Sequence, residues 1–228
     1  EMYDRQERYF DQWAIPEDKQ EVLFELLDGE PYTENPPTVT PIEDGDTFTV
    51  NGIELEAVHA PGHAAGLCMY EADIDGSSEV FTGDALLPQY TPNVGGADIR
   101  VERPLANYLD TLGAIAEADY DRAWPGHRDP IDDPTARAEH IMHHHEERSW
   151  RVLDALRRLG PCDVWTVSAD LFGDLEHIHI LHGPGESYAH LEHLGRDGIV
   201  EREGDEYRLA DGVEAELDAL DEERWPLI

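Results

Sequence analysis

The chain has 228 residues, of which 52 are acidic and 16 are basic, and its formal net charge at pH 7 is −36. An acidic disordered protein is excluded, because 40% of the residues are hydrophobic and they recur with helical or strand periods. A membrane-spanning protein is excluded as well, because no apolar run approaches about 18 residues. The length predicts one or two domains.

The acidic composition predicts the environment in which the protein works. Charges of one sign repel one another at low ionic strength, and this repulsion is screened at 1 M salt, where the Debye length is about 3 Å. We therefore expect a halophilic, cytoplasmic protein from a salt-accumulating microbe. Cys68 and Cys162 lack CxxC spacing and are expected to be free thiols in a reducing compartment. No signal peptide opens the chain, and the absence of an initial Met indicates a processed protein or a fragment.

Two helices and a loop are predicted before the first strand. Residues 2–13 carry apolar and aromatic side chains at helical spacing. A second helix is predicted to start at Pro16, because proline suits the first turn of a helix. Residues 30–45 are rich in proline and acidic residues and predict a loop.

The middle of the chain predicts a hairpin, further strands and a helix. Residues 47–50 and 53–58 alternate in polarity and flank Asn51-Gly52, a type I′ turn pair. A helix is predicted from Pro104, with Leu105, Tyr108, Leu109, Leu112 and Ile115 on its buried face. The loop at residues 88–100 is rich in Pro and Gly and is expected to flank a cleft. Further strands are predicted at residues 67–71, 80–82 and 120–124.

Three candidate metal ligands each stand where a predicted strand runs into a loop. His63 lies in HAPGHAAG, Asp84 in FTGDALLP and His127 in WPGHRDP. Imidazole and carboxylate groups together form the nitrogen and oxygen set that zinc and similar divalent metals prefer. Gly83 lets the backbone turn sharply, so that the Asp84 carboxylate points into a cleft. The sequence therefore predicts a metal site that contains these three residues.

These motifs resemble those of the metallo-β-lactamase superfamily, a hydrolase group that includes glyoxalase II and the zinc-dependent ribonucleases. PGHAAG at residues 61–66, TGD at 82–84 and PGH at 125–127 are similar to three motifs of that family and occur in the same order. The resemblance covers about residues 45 to 130. The first motif of the family, HxHxDH, does not precede His63 in this sequence.

The resemblance implies an α+β fold, an αββα sandwich of which the chain carries mainly the second half. It implies a divalent metal, zinc being expected, with two ions in a complete site. His63 would serve the first ion, Asp84 would bridge both as the catalytic carboxylate, and His127 would serve the second. A bound cation lowers the pKa of its water from about 15.7 towards about 7. With three ligands and a start partway through the fold, we expect this chain alone to be a poor catalyst.

The sequence after residue 134 predicts a second, smaller domain. We assign residues 1–134 to the metallo-β-lactamase-like domain and residues 135–228 to a winged-helix-like domain. The pattern is three predicted helices followed by a predicted β-hairpin. It resembles the winged-helix domain of a superfamily branch that includes β-lactamase-like protein 2, an endoribonuclease. Its candidate recognition helix lacks Lys and Arg, so we expect it to cap the hydrolase edge or mediate dimerisation rather than read DNA. The helices are predicted at residues 135–159, 166–171 and 186–195, and a hairpin at 198–209.

Two further groups of histidines are not predicted to be metal sites. His177, His179 and His182 form an HxHxLH pattern, with Leu181 where the family has its aspartate. The run of three histidines at residues 143–145 is expected to face solvent and neighbouring acids on a helix. A histidine-rich tract can bind metal adventitiously.

Three functions follow from these observations. The first is a metal-dependent hydrolase that acts on a thioester, ester or related small substrate. The second is an endoribonuclease of the β-lactamase-like type, which is disfavoured because the loop at residues 88–103 offers only Arg100 and Arg103. The third is a non-catalytic scaffold with a degenerate metal site. We expect a small-molecule substrate and neither a nucleic acid nor a membrane as partner, and a homodimer is compatible with the sequence.

Overall fold

The computed structural model describes residues 2–27, 38–220 and 226–228. Both predicted N-terminal helices are confirmed, as α1 (Met2–Gln12) and α2 (Glu17–Leu27). The predicted loop at residues 30–45 lies partly outside the described residues. Its described part, from residue 38 onwards, contains neither helix nor strand.

A five-stranded sheet lies at the centre of the structure, and its order follows the chain. The first four strands pair antiparallel, and the last pairs parallel with its neighbour. A parallel pair needs a crossover connection, which helix α3 (Pro104–Ala118) supplies. The predicted strands are confirmed with shifted ends. They are β1 (Thr47–Val50), β2 (Ile53–His59), β3 (Cys68–Ile74), β4 (Ser77–Gly83) and β5 (Arg122–Pro125).

The two faces of this sheet differ in what covers them. One face packs against α3, and all five apolar residues predicted for the inner side of α3 are buried. The other face carries an aromatic row in which Tyr70, Phe81 and Trp124 are cross-strand neighbours, and Phe81 is 37% exposed. The predicted α+β class is confirmed, and a chain that carries mainly the second half of the sandwich is expected to provide one of its two large sheets. The described residues contain, besides this sheet, only a two-stranded one near the C-terminus.

The C-terminal part consists mainly of helices. Asp133 and Asp163 cap the first two of these helices, each accepting a hydrogen bond from a backbone N–H of the first turn. The third begins at His179 rather than at Glu186, because the buried Ile180 and Leu181 hold the segment before Pro184 in the helix. No helix in the described ranges is long and apolar enough to cross a membrane. The elements are α4 (Pro134–Leu159), α5 (Val164–Phe172), α6 (His179–Arg196), β6 (Val200–Glu203), β7 (Glu206–Leu209) and α7 (Glu214–Leu217).

The hydrophobic core crosses the predicted domain boundary at residue 134. Phe10 of α1 and Trp13, which directly follows this helix, are fully buried in one cluster with residues of α4, α5 and α6. A second cluster lies between the sheet and α3, and it includes Ile141 of α4 and Ala189 of α6. The division into two domains stays a prediction, while the packing ties the C-terminal helices to both the sheet and α1.

The acidic surface leads to a prediction about salt. Raising the KCl concentration from 0.1 M to 1 M shortens the Debye length from about 10 Å to about 3 Å, which screens the repulsion between like charges. We expect the thermal unfolding midpoint to rise with KCl, as measured by circular dichroism. Sucrose at matched osmolality, which leaves charge repulsion unscreened, is the control and should have a smaller effect. Equal effects of KCl and sucrose would contradict the prediction.

Candidate metal centre

The three predicted ligand residues meet at one edge of the sheet. His63 follows β2, Asp84 follows β4 and His127 follows β5, and these three strands run in the same direction. His63 Nε2 lies 3.8 Å from Asp84 Oδ2, and His127 Nε2 lies 3.6 Å from Asp84 Oδ1. The carboxylate therefore stands between two imidazoles, one facing each of its oxygens.

A backbone carbonyl sets the orientation and the tautomer of His63. Its Nδ1–H donates a hydrogen bond of 2.8 Å to the carbonyl oxygen of Asn93. The proton therefore resides on Nδ1, and Nε2 presents a lone pair towards Asp84. Thr111 Oγ1 donates to the Pro61 carbonyl at 2.8 Å, which fixes the preceding turn on α3.

The Asp84 loop is held by backbone contacts that leave one carboxylate oxygen unpaired. Gly126 N–H donates to the Gly83 carbonyl at 2.7 Å, and Tyr108 Oη donates to the Ala85 carbonyl at 3.0 Å. Asp84 Oδ1 is buried and has no hydrogen-bond partner among the described residues. A buried carboxylate oxygen without a donor is costly unless a cation compensates it. With one imidazole facing each of its oxygens, the Asp84 carboxylate fits a divalent cation.

Two cavities adjoin this centre. One, of about 340 Å³, is lined by residues 87–90 together with His127 and Arg128. Arg137 of α4 shapes it by donating to the carbonyls of Leu87 and Tyr90. The predicted cleft beside the loop at residues 88–100 is thus present. His127, whose side chain is 72% exposed, lies at its border.

The second cavity, of about 630 Å³, is lined in part by Asn93. His177, His179 and His182 of the HxHxLH pattern line it, and burial lowers the pKa of His182. Their ring nitrogens do not form a cluster of ligand geometry in the part of the chain that the structure describes. These histidines therefore border the cavity near the candidate centre without forming a metal site of their own.

The run of histidines at residues 143–145 corrects the prediction that all three face solvent. His143 is exposed, whereas His145 is fully buried, because this face of α4 packs against α6. His145 Nδ1 lies 3.3 Å from Nε2 of His190, whose Nδ1 lies 3.1 Å from Ser149 Oγ. Sequence reasoning missed this pair, although Glu186 and His190 have the i, i+4 spacing of one helix face.

Among the described residues, one set of at least three potential ligands has all its ligand atoms within 4.8 Å of one another. It comprises His145, Glu186 and His190, and all three are buried. Hydrogen bonds already occupy Glu186, because Arg148 Nη1 lies 3.3 Å from Oε1 and Asn93 Nδ2 donates to Oε2 at 2.9 Å. We therefore interpret the set as a buried hydrogen-bond network.

The buried histidine pair predicts a pH dependence of stability. Burial lowers the pKa of His145 and His190 well below the ordinary value. Below about pH 6.5 the unfolded chain binds protons that the native protein does not, so stability falls as the pH falls. Each histidine contributes a slope of up to about 1.4 kcal/mol per pH unit. Urea unfolding between pH 7.5 and 5.5 measures this slope.

His190→Gln should reduce the slope, and the exposed His143→Gln on α4 is its control. The carboxylates that also titrate are common to these proteins and cancel in the comparison. Equal slopes in the wild type and His190→Gln would show that the pair is not held neutral.

Gly62 gives a prediction about the loop that carries His63. Its φ is +139°, and a Cβ at this position would lie 2.5 Å from Tyr108 Cβ. Gly62→Ala should lower the free energy of unfolding by about 1–3 kcal/mol, because α3 cannot move away without disturbing the core. In the same loop, Gly66→Ala is the matched control, since a Cβ there meets nothing within 4 Å. Similar urea midpoints for the two variants would argue against this close approach.

Comparison with known proteins identifies the family of this chain. Residues 4–127 match the family described as the Metallo-beta-lactamase superfamily. A lactamase-like protein of Penicillium aethiopicum is 33% identical over 117 residues, which cover 51% of this chain and 34% of that protein. The beta-lactamase-like protein 2 homolog of Drosophila melanogaster is 28% identical over 116 residues, which cover 50% of this chain and 35% of that protein. The chain thus spans about a third of the length of these relatives.

A solved structure extends the likeness beyond the matched motifs. The crystal structure of a metallo-beta-lactamase family protein from Thermus thermophilus matches with a TM-score of 0.67 and 32% identity, covering 86% of this chain and 66% of that one. The family match spans more than half of the chain and contains all three residues of the candidate centre. The chain therefore belongs to the metallo-beta-lactamase superfamily, whose members are generally metal-dependent hydrolytic enzymes.

Proposed function

We propose that the chain carries the site of a metal-dependent hydrolase, with His63, Asp84 and His127 as metal ligands. The observation that carries this proposal is the Asp84 carboxylate, which stands 3.8 Å and 3.6 Å from two imidazole nitrogens and has a buried oxygen without a donor. A divalent cation such as zinc would supply Lewis acidity and would lower the pKa of water towards about 7.

Hydrogen bonds and side-chain orientation prepare the three candidate ligands to hold such a cation. The carbonyl of Asn93 keeps the His63 proton on Nδ1 and leaves Nε2 free. Asp84 turns Oδ2 towards His63 and Oδ1 towards His127, so that one carboxylate can serve two neighbouring ion positions. The hydrogen bond from Gly126 N–H to the Gly83 carbonyl keeps the two loops in register.

The cavity beside His127 favours a small ester or thioester as the substrate. Its volume of about 340 Å³ falls in the usual size range of small-molecule sites. Leu87, Pro88 and Tyr90 offer apolar contact, and Arg128 is the one cation in the lining. An RNA strand would need a longer basic channel, and the net charge of −36 opposes phosphate binding. Because the chain spans about a third of its curated relatives, the activity of the whole protein belongs to this proposal.

For the C-terminal part we retain the winged-helix interpretation, in the role of a packing unit. Three helices followed by the β6–β7 hairpin support it. The face of α6 that contains Gly185 and Glu186 is buried, so this face is not free to enter a nucleic-acid groove. Arg196, in the last turn, pairs with Glu192 of the same helix. Cytoplasmic location, a salt-rich cell and dimerisation stay predictions.

Metal binding by the purified chain tests the ligand set. Zinc should bind the wild type, and Asp84→Asn should lower the affinity by more than the about 10–100-fold that loss of an outer-shell partner costs. Competition with a chromogenic chelator in high salt measures the affinity. The control is Asp132→Asn, which should bind zinc as the wild type does. Asp132 is an exposed aspartate in the loop after β5, and it pairs with Arg122 of that strand. Unchanged affinity in Asp84→Asn would refute the assignment.

The zinc-loaded chain can then be assayed against chromogenic thioesters and esters and against a single-stranded RNA. Hydrolysis of the small substrates that Asp84→Asn loses would support the proposed reaction. Cleavage of the RNA alone would instead favour the endoribonuclease. Zinc binding without any hydrolysis would agree with the expectation that this chain alone is a poor catalyst, and it would leave the scaffold as the alternative function.

A further inference from the structure

The loop that orients His63 is fastened to α6. The carbonyl of Asn93 accepts the hydrogen bond from His63 Nδ1–H, and the side chain of Asn93 takes part in three further hydrogen bonds. Its Nδ2 donates to the His182 carbonyl at 3.0 Å and to Glu186 Oε2 at 2.9 Å, and its Oδ1 accepts from Gly96 N–H at 3.1 Å. Two of these three bonds reach residues of α6, about 90 positions further along the chain.

Glycines bring this loop and α6 into direct backbone contact. A Cβ on Gly185 would overlap the backbone of Gly96, and a Cβ on Gly96 would lie 2.7 Å from the Cα of His182. Gly95 has a φ of +91°, which suits glycine, and a Cβ there would overlap the Gly185 carbonyl. The loop therefore has no room for a side chain at the contact. The close approach of the two backbones sets the distance between Asn93 and α6.

Glu186 is the charged group at the base of this contact. It is 7% exposed, and its carboxylate accepts hydrogen bonds from the side chain of Asn93 and the backbone of Val94. Arg148 of α4 lies 3.3 Å away and compensates the buried charge. A buried acceptor with several donors is costly to remove, because the donors are then left unpaired.

We infer that Glu186 is a positioning residue for His63. Glu186 holds the side chain of Asn93, the Asn93 carbonyl holds His63 Nδ1–H, and His63 Nε2 is thereby kept directed at Asp84. This inference rests on the proposed metal site. It adds that an acidic residue of α6, whose hydrogen bonds and ion pair among the described residues are to Asn93, Val94 and Arg148, determines how well the centre binds metal.

The test combines Glu186→Ala, Glu186→Gln and Asn93→Ala. Glu186→Ala and Asn93→Ala should each lower zinc affinity by about 10–100-fold, as loss of an outer-shell partner does. Glu186→Gln keeps one carbonyl oxygen for Asn93 and should lose less. The Glu186→Ala and Asn93→Ala double variant should bind zinc no more weakly than the weaker single variant, because both changes break the same path. The control is Glu192→Gln. Glu192 is an acidic residue of the same helix and pairs with Arg196.

A second readout does not require metal. In the metal-free wild type, long-range ¹H–¹⁵N correlation spectra should show His63 protonated on Nδ1. In Glu186→Ala and Asn93→Ala the spectra should move towards a mixture of tautomers, whereas Glu192→Gln should match the wild type. If the wild type fails to bind zinc, the proposed function fails, while the tautomer still decides the present inference. If Glu186→Ala does not fold, as judged by circular dichroism, Glu186→Gln and Asn93→Ala provide the same comparison.

Two results would overturn the inference. In the first, folded Glu186→Ala has the same His63 tautomer as the wild type and a zinc affinity within about twofold of it. Such a change in affinity is smaller than the about tenfold lower bound for loss of an outer-shell partner. The other is the loss in Glu186→Ala of a whole equivalent of zinc, with the affinity of the remaining metal unaltered. That result would identify Glu186 as a ligand, together with His145 and His190.

Discussion

The contact between the backbones of Gly96 and Gly185 is the constraint on which the arrangement of the candidate centre depends. Because neither residue has a Cβ, the loop after β4 lies directly on α6. At that distance the Asn93 side chain reaches the helix, while its carbonyl reaches His63. A centre whose ligands all follow strands of the sheet is thus oriented partly by a helix from the other end of the chain.

Charge is distributed very differently inside and outside this protein. Outside, the acidic residues far outnumber the basic ones, and the exposed pairs they form with arginines contribute little each. Inside, Glu186 is compensated by Arg148 and by hydrogen bonds, although burial still raises the pKa of its carboxyl group. At the candidate centre, Asp84 Oδ1 is buried without a hydrogen-bond donor among the described residues.

The fold explains why membership of the superfamily and the activity of this chain are separate matters. The described residues provide one large sheet, with helices on one face and a partly exposed aromatic row on the other. The three loops at one edge of this sheet carry the three candidate ligand residues. The chain spans about a third of the length of its curated relatives, so membership of the superfamily does not by itself give the activity of the whole protein.

Local patterns in the sequence determined most of the elements and all three candidate ligands. Asn51 and Gly52 have φ values of 52° and 87°, as a type I′ turn requires, and the apolar spacing of α3 identified its buried face. The order of the three motifs located His63, Asp84 and His127, because each motif fixes a strand end and the turn that follows it.

The tertiary structure alone decided which residues support these ligands. The burial of His145, the start of α6 at His179 and the hydrogen bond between Asn93 and Glu186 each depend on which surface covers the segment. Partners about 90 residues apart leave no periodic signal in one sequence. A polar residue on a helix has the same local pattern whether it faces solvent or a neighbouring loop, so only packing distinguishes the two.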